Sequence, residues 1–119
     1  MTEDNPIEGD VLVLTAAKAS VGGQRVPELV AEARRELEPQ AEELRRQYEC
    51  VHEDDVRTIF LAPEGFWAEV GDDLGLSRRE YEAVARAHAE QLLRVGDREG
   101  RKGEFETALE VREAVVIGA

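Results

Sequence analysis

Lysine is almost missing from this chain of 119 residues: Lys18 and Lys102 are the only examples, and the remaining basic side chains are arginines. Cysteine is rarer still. Cys50 alone permits no internal disulfide, so the fold must rest on its core, in agreement with a reducing compartment. No apolar run approaches the roughly 20 residues that span a bilayer. The N-terminal MTEDNPIEGD is acidic where a secretory signal carries a basic region and an apolar stretch, so a cytoplasmic location without membrane association is expected. Also missing are a glycine-rich phosphate loop after a strand, a nucleophile elbow, and any acidic pair that stands out from the acidic background. These absences argue against an enzyme, and no catalytic, cofactor-binding or metal-ligating residue is assigned.

What is abundant is acid. The chain carries 27 Asp and Glu against 15 Lys and Arg, a formal net charge of -12. Acid excess with little lysine is the composition expected of a protein from a salt-in halophile, where carboxylates keep the surface hydrated and lysine's apolar stem is avoided; the alternative is an ordinary acidic cytosolic protein whose arginine bias reflects codon composition in a GC-rich genome. In molar salt the Debye length is only about 3 Å, so this charge repels DNA far less than in dilute buffer.

With 42% apolar residues the chain suits one domain around one small core, with residues 1–8 as a flexible N-terminus. The run IEGDVLVLTAAKAS, Ile7 to Ser20, is expected to be helical because strong helix formers continue VLVL without a period of two. Asp10 would cap it, and Gly22 with Gly23 would stop it. Val26, Leu29, Val30, Ala33, Leu37, Ala41, Leu44 and Tyr48 then keep a 3.6-residue phase. Pro39 either kinks that helix or opens a second one facing the same core.

The period changes at YECVHEDDVRTIFLA, which reads as a β-hairpin turning near Asp54 and Asp55. A two-residue loop would set Tyr48 opposite Leu61, Cys50 opposite Ile59 and His52 opposite Arg57, the first two pairs in the core. Such a hairpin must pack on helices or gain a third strand, and AVVIGA is the only other strand-like run. Pro63 would start a short helix burying Phe66, Trp67, Val70 and Leu74 and ending at Gly75. Ser77 and Glu80 form a capping box, with Leu76 and Tyr81 as its hydrophobic staple. The helix that follows buries Tyr81, Val84, Ala85, His88, Leu92 and Val95. Gly96, Gly100 and Gly103 suggest a loop over 97–103, before a C-terminal helix with Phe105, Ala108, Leu109 and Arg112 at helical spacing. The expected class is α+β, predominantly α, with about five helices around one β-hairpin.

Functional candidates are few. Gly71, Gly75 and a capped helix showing Arg78, Arg79 and Arg86 resemble a helix-turn-helix, in which those arginines would touch phosphates or guanine edges. A tight helix corner, however, wants the same glycine and serine, and Glu80 and Glu82 among the arginines would repel phosphate. His88 with Glu90 and Gln91 invites an acid/base or metal reading, but a histidine on an apolar helix face is more often a buried, hydrogen-bonded one. Cys50 and His52 supply at most two metal ligands, and one cysteine with two histidines cannot form a Cys₂His₂ site.

The order of elements and RAHAEQLLR, with Ala87, His88, Ala89, Glu90 and Gln91 as an Ala-His-x-Glu-Gln motif, resembles small haloarchaeal proteins of uncharacterised function over roughly residues 10 to 96. The resemblance implies the same architecture and a halophilic origin, and brings no activity. The expectation is a non-catalytic protein-interaction or adaptor domain with a protein partner and no cofactor. The alternative is a helix-turn-helix DNA-binding regulator.

Overall fold

A computed structural model describes residues 5–19, 21, 22 and 24–119. Residues 1–4, Ser20 and Gly23 lie outside the described residues, and with them part of the expected flexible N-terminus and of the expected stop after the first helix. The elements are α1 (Gly9–Lys18), α2 (Arg25–Leu37), a 3₁₀ turn (Glu38–Gln40), α3 (Ala41–Gln47), β1 (Glu49–Glu53), β2 (Arg57–Pro63), α4 (Phe66–Leu74), α5 (Arg78–Glu99), α6 (Lys102–Ala108) and β3 (Arg112–Gly118). The fold is α+β and predominantly helical. The hairpin gains AVVIGA as a third strand, giving an antiparallel sheet in the order β1-β2-β3. Arg112, expected on the last helix, opens that strand.

Alternation along the strands loads both faces of the sheet. Ile59, Leu61, Ala114 and Val116 join Ile7, Val11, Leu92, Val95 and Phe105 in one cluster. Phe60, Ala62, Val115 and Ile117 join Leu29, Leu37, Leu44, Trp67 and Val84 in the other. The sheet is thus a filling between helices rather than a half-exposed layer. Pro39 enters the first turn of the 3₁₀ piece, and Leu37 and Leu44 on either side of it face the same cluster.

Four local expectations are corrected. Glu8, not Asp10, stands at the N-cap of α1, its carbonyl accepting from Val11 and Leu12 at 3.1 Å. Residues 5–8 are tied down: Ile7 is buried, and the Pro6 carbonyl accepts from Arg57 Nε at 2.8 Å. The expected loop over 97–103 shrinks to a corner. Gly96 lies inside α5, where a Cβ would sit 2.7 Å from the Phe105 ring, so it serves close packing of α6. Gly100, with φ at 72°, ends the helix in the left-handed conformation that only glycine adopts freely.

The fourth correction is the hairpin register. Asp54 Oδ1 accepts from the amides of Val56 and Arg57 at 2.7 and 2.9 Å, which moves the turn one residue onward. A bulge at Val51 then offsets the strand, so Glu49 opposes Leu61, Cys50 opposes Phe60 and His52 opposes Ile59. A one-residue slip exchanges faces. Cys50 is accordingly no core neighbour of Ile59, and it is exposed on the edge strand β1.

Candidate interaction surfaces and the sealed edge of the sheet

β3 is an edge strand, and its buried backbone groups need partners that no further strand supplies. Three side chains from three elements each provide one. Trp67 Nε1 of α4 donates to the Ala114 carbonyl at 3.0 Å. The Val116 amide donates to His88 Nδ1 of α5 at 2.8 Å. The Gly118 amide donates to the Glu38 carboxylate of the 3₁₀ turn at 3.2 and 3.3 Å. The Trp67 and His88 rings lie against each other, centroids 4.4 Å apart.

His88 is thereby a structural acceptor. Its Nδ1 lone pair is committed, which places the ring proton on Nε2, and complete burial lowers its pKa from 6.5 to about 3. Gln91, one turn on, is also fully buried, but it faces α1. It accepts from the Glu8 amide and donates to the Glu8 carboxylate, both at 2.7 Å. Arg98 grips the same carboxylate at 2.6 and 2.7 Å, and this hydrogen bond is the largest cause holding the Glu8 pKa near 2. Of the motif, only Ala89 and Glu90 stay at the half-exposed surface. His88, Glu90 and Gln91 therefore do not converge on one site.

Cys50 and His52 do not converge on a metal either. Cys50 Sγ contacts the His52 carbonyl, while the imidazole sits between Asp54 at 2.6 Å and Glu99 at 3.2 Å. Burial raises the Asp54 pKa, but hydrogen bonds from His52, Arg57 and Val56 outweigh it and bring the value to about 2. Among the described residues, no group of three or more His, Cys, Asp or Glu is arranged to hold a metal ion.

The corner before α5 is built as its local sequence announces. Ser77 Oγ accepts from the Glu80 amide, and the Glu80 carboxylate accepts from the Ser77 amide at 2.8 Å. Gly71 has a packing reason: a Cβ there would meet Tyr81 at 2.6 to 2.9 Å. Arg78, Arg79 and Arg86 are all exposed. Arg78 Nε donates to Glu82 at 2.9 Å, whereas Arg79 and Arg86 make no ion pair among the described residues.

Two hollows of about 440 and 520 Å³ share Glu82, Ala85, Leu109, Arg112 and Glu113, and so run together as one groove between α5 and the start of β3. Ala85 and Ala89 line it with small side chains, and charges of both signs surround them. Much of that charge is already engaged. Arg112 reaches Glu49 at 2.7 Å, and Glu113 accepts from the Trp67 amide at 2.9 Å, capping α4 whose own N-cap, Gly65, has no side chain to do so. Val111, beside this groove in sequence, is one of the large apolar side chains left exposed, at 65%.

Sequence reasoning missed Arg57, expected at a polar hairpin tip but buried against Pro6, Asp54 and Glu8. It also missed Trp67 and Glu38 as partners of a strand edge. No periodicity reports such pairs, because the partner strand lies 47 and 80 residues away.

Fold and surface define a small α+β domain with an edge-sealed three-stranded sheet and a shallow groove of mixed charge. The chain belongs to the family described as Domain of unknown function (DUF8048), whose family model matches residues 5–119. No curated protein and no solved structure matches it. No helix among the described residues is long and apolar enough to cross a membrane.

Proposed function

We propose that this domain is a non-catalytic protein-interaction or adaptor module of a haloarchaeal cytoplasm, and that it receives its partner in the groove between α5 and β3. The groove carries this reading. Ala85 and Ala89 allow close approach, Leu109 offers apolar area, and Glu82, Glu90, Arg86 and Arg112 supply a polar rim. Because Trp67 and His88 already occupy the Ala114 carbonyl and the Val116 amide, the partner contributes side chains rather than an added strand. The helix-turn-helix alternative draws on exposed Arg79 and Arg86, but Arg78 is spent on Glu82 and Gly71 serves the Tyr81 contact.

The test is partner capture in molar KCl with the full chain. A partner retained by wild type and by Ala31→Arg on the exposed face of α2, but lost by Ala89→Arg, supports the groove. Loss in both variants or in neither sinks it. Retardation of one specific duplex, abolished by Arg78→Ala with Arg79→Ala, would favour the DNA reading instead. The halophilic part rests on the acid excess of the composition. The melting temperature is expected to rise from dilute buffer to about 1 M KCl as screening removes like-charge repulsion. A flat series would remove that part of the proposal.

A further inference from the structure

In a chain with such acid surplus, a cation that makes no ion pair stands out. Every arginine except Arg35, Arg79 and Arg86 makes an ion pair among the described residues. Two of those three line one hollow. Arg79 and Arg86 stand two turns apart on one face of α5, about 10 Å along the axis, with buried Ala83 between them. Lys18 and Ala19, from the C-terminal end of α1, complete a hollow of about 60 Å³. Lys18 is likewise without an ion pair among the described residues. It complements the carbonyl end of α1, an occupation that neither arginine has.

We propose that this hollow binds a single phosphate group, as inorganic phosphate or as the head of a small phosphate monoester. The site shares Arg86 and Glu82 with the rim of the groove but does not rest on the adaptor reading. Its volume suits one tetrahedral oxyanion and excludes a sugar or a base together with it. Ala19 and Ala83 leave the space, and Arg79, Arg86 and Lys18 line it; guanidinium geometry matches phosphate oxygens. The one acid at the rim, Glu82, accepts from Arg78 at 2.9 Å. Three cations also select charge: a carboxylate compensates one of them, a phosphate near neutral pH almost two.

The test is a titration of the full chain with inorganic phosphate at constant ionic strength, followed by amide and arginine Nε chemical shifts. Phenyl phosphate serves as the monoester and acetate as the monoanion. Saturable shifts centred on Lys18, Ala83 and the two arginines are expected, with affinity in the millimolar range because all three cations are exposed. Arg79→Gln with Arg86→Gln should weaken binding at least tenfold. The charge-matched Arg35→Gln with Lys102→Gln, both also without an ion pair among the described residues but outside the hollow, should leave it unchanged. Binding of phosphate alone assigns the free ion, and binding of both phosphates assigns the monoester head. The proposal is overturned by no saturable shift in the wild type, by equal loss in the two double variants, by acetate binding as tightly, or by duplex DNA shifting these residues where phosphate does not.

Discussion

The two edges of the sheet meet the same hazard, unpaired backbone groups open to another strand, in opposite ways. β3 is buried over Ala114 to Ile117 and closed by Trp67, His88 and Glu38. β1 is short, exposed over Glu49 and Cys50, and bulged at Val51. Its ends carry Glu49 and Glu53, in ion pairs with Arg112 and Arg45 at 2.7 and 2.8 Å. One edge is covered, the other blunted by distortion and charge. Covering couples the edge to the core, so damage there is costly. Blunting leaves the edge at the surface, where exposed ion pairs contribute little and substitutions are tolerated.

The largest expected effect is at the covered edge. His88→Ala opens a cavity between Trp67 and β3 and strands the Val116 amide, and should cost about 3 kcal/mol in urea unfolding. A loss below about 1 kcal/mol would show that water replaces the imidazole without penalty.

Acid should act on the same bond. His88 is held neutral to about pH 3 when folded, while unfolded it takes a proton near 6.5. The unfolded state therefore binds more protons as pH falls from 6.5, and stability should drop by about 1.4 kcal/mol per pH unit well below that value. Glu8 and Asp54, lowered from 4.5 and 3.8 to about 2, lose their contributions only as pH falls below those ordinary values. His88→Asn retains an acceptor without that titration. Its stability should be flat between pH 6.5 and 5, and an undiminished slope in this variant would assign the acid sensitivity elsewhere.

A smaller gain is expected away from both edges. Thr15 Oγ1 in α1 is the only buried side-chain nitrogen or oxygen without a hydrogen-bond partner among the described residues. Thr15→Val removes the unsatisfied hydroxyl at similar shape and should stabilise by about 1 kcal/mol; a destabilised variant would mean that the hydroxyl finds a partner in solution.

The smallest effect belongs to the blunted edge. Cys50→Ser should change stability by less than about 0.5 kcal/mol, because the thiol is exposed. The native thiol should react with a maleimide without unfolding. Slow modification together with a cost above 1 kcal/mol would restore the expected register, with Cys50 inside.

The contrast between the edges is also a contrast in legibility. Charges at the ends of β1 are visible in ECVHE, and the Ser77–Glu80 box is visible because both partners lie within one turn. The burial of His88 follows from its phase with Val84 and Leu92. Its partner does not, since Val116 is 28 residues away and was brought there by the pairing of β3 with β2. The groove and the cation hollow were only partly legible. Arg79 and Arg86 stand out on an exposed face, but Lys18 joins them through the packing of α1 on α5, which spacing along one helix cannot report.

By itself the sequence determined the periodic and the local. Helical phases, the capping box, the glycine stop at Gly75, the acidic surface and the α+β class all depend on residues within a few positions of one another, where backbone geometry alone sets which side chains meet. Tertiary structure decided the rest. Gly96 became a contact instead of a break because Phe105 folds back onto α5, Cys50 lost its place opposite Ile59 because Asp54 and the Val51 bulge shifted the register, and AVVIGA became a strand because β2 presented an edge for it. Each of those outcomes depends on which partner reaches a residue first in space, and a hydrogen bond or a methyl contact with a distant segment outweighs local propensities worth under about 1 kcal/mol per residue.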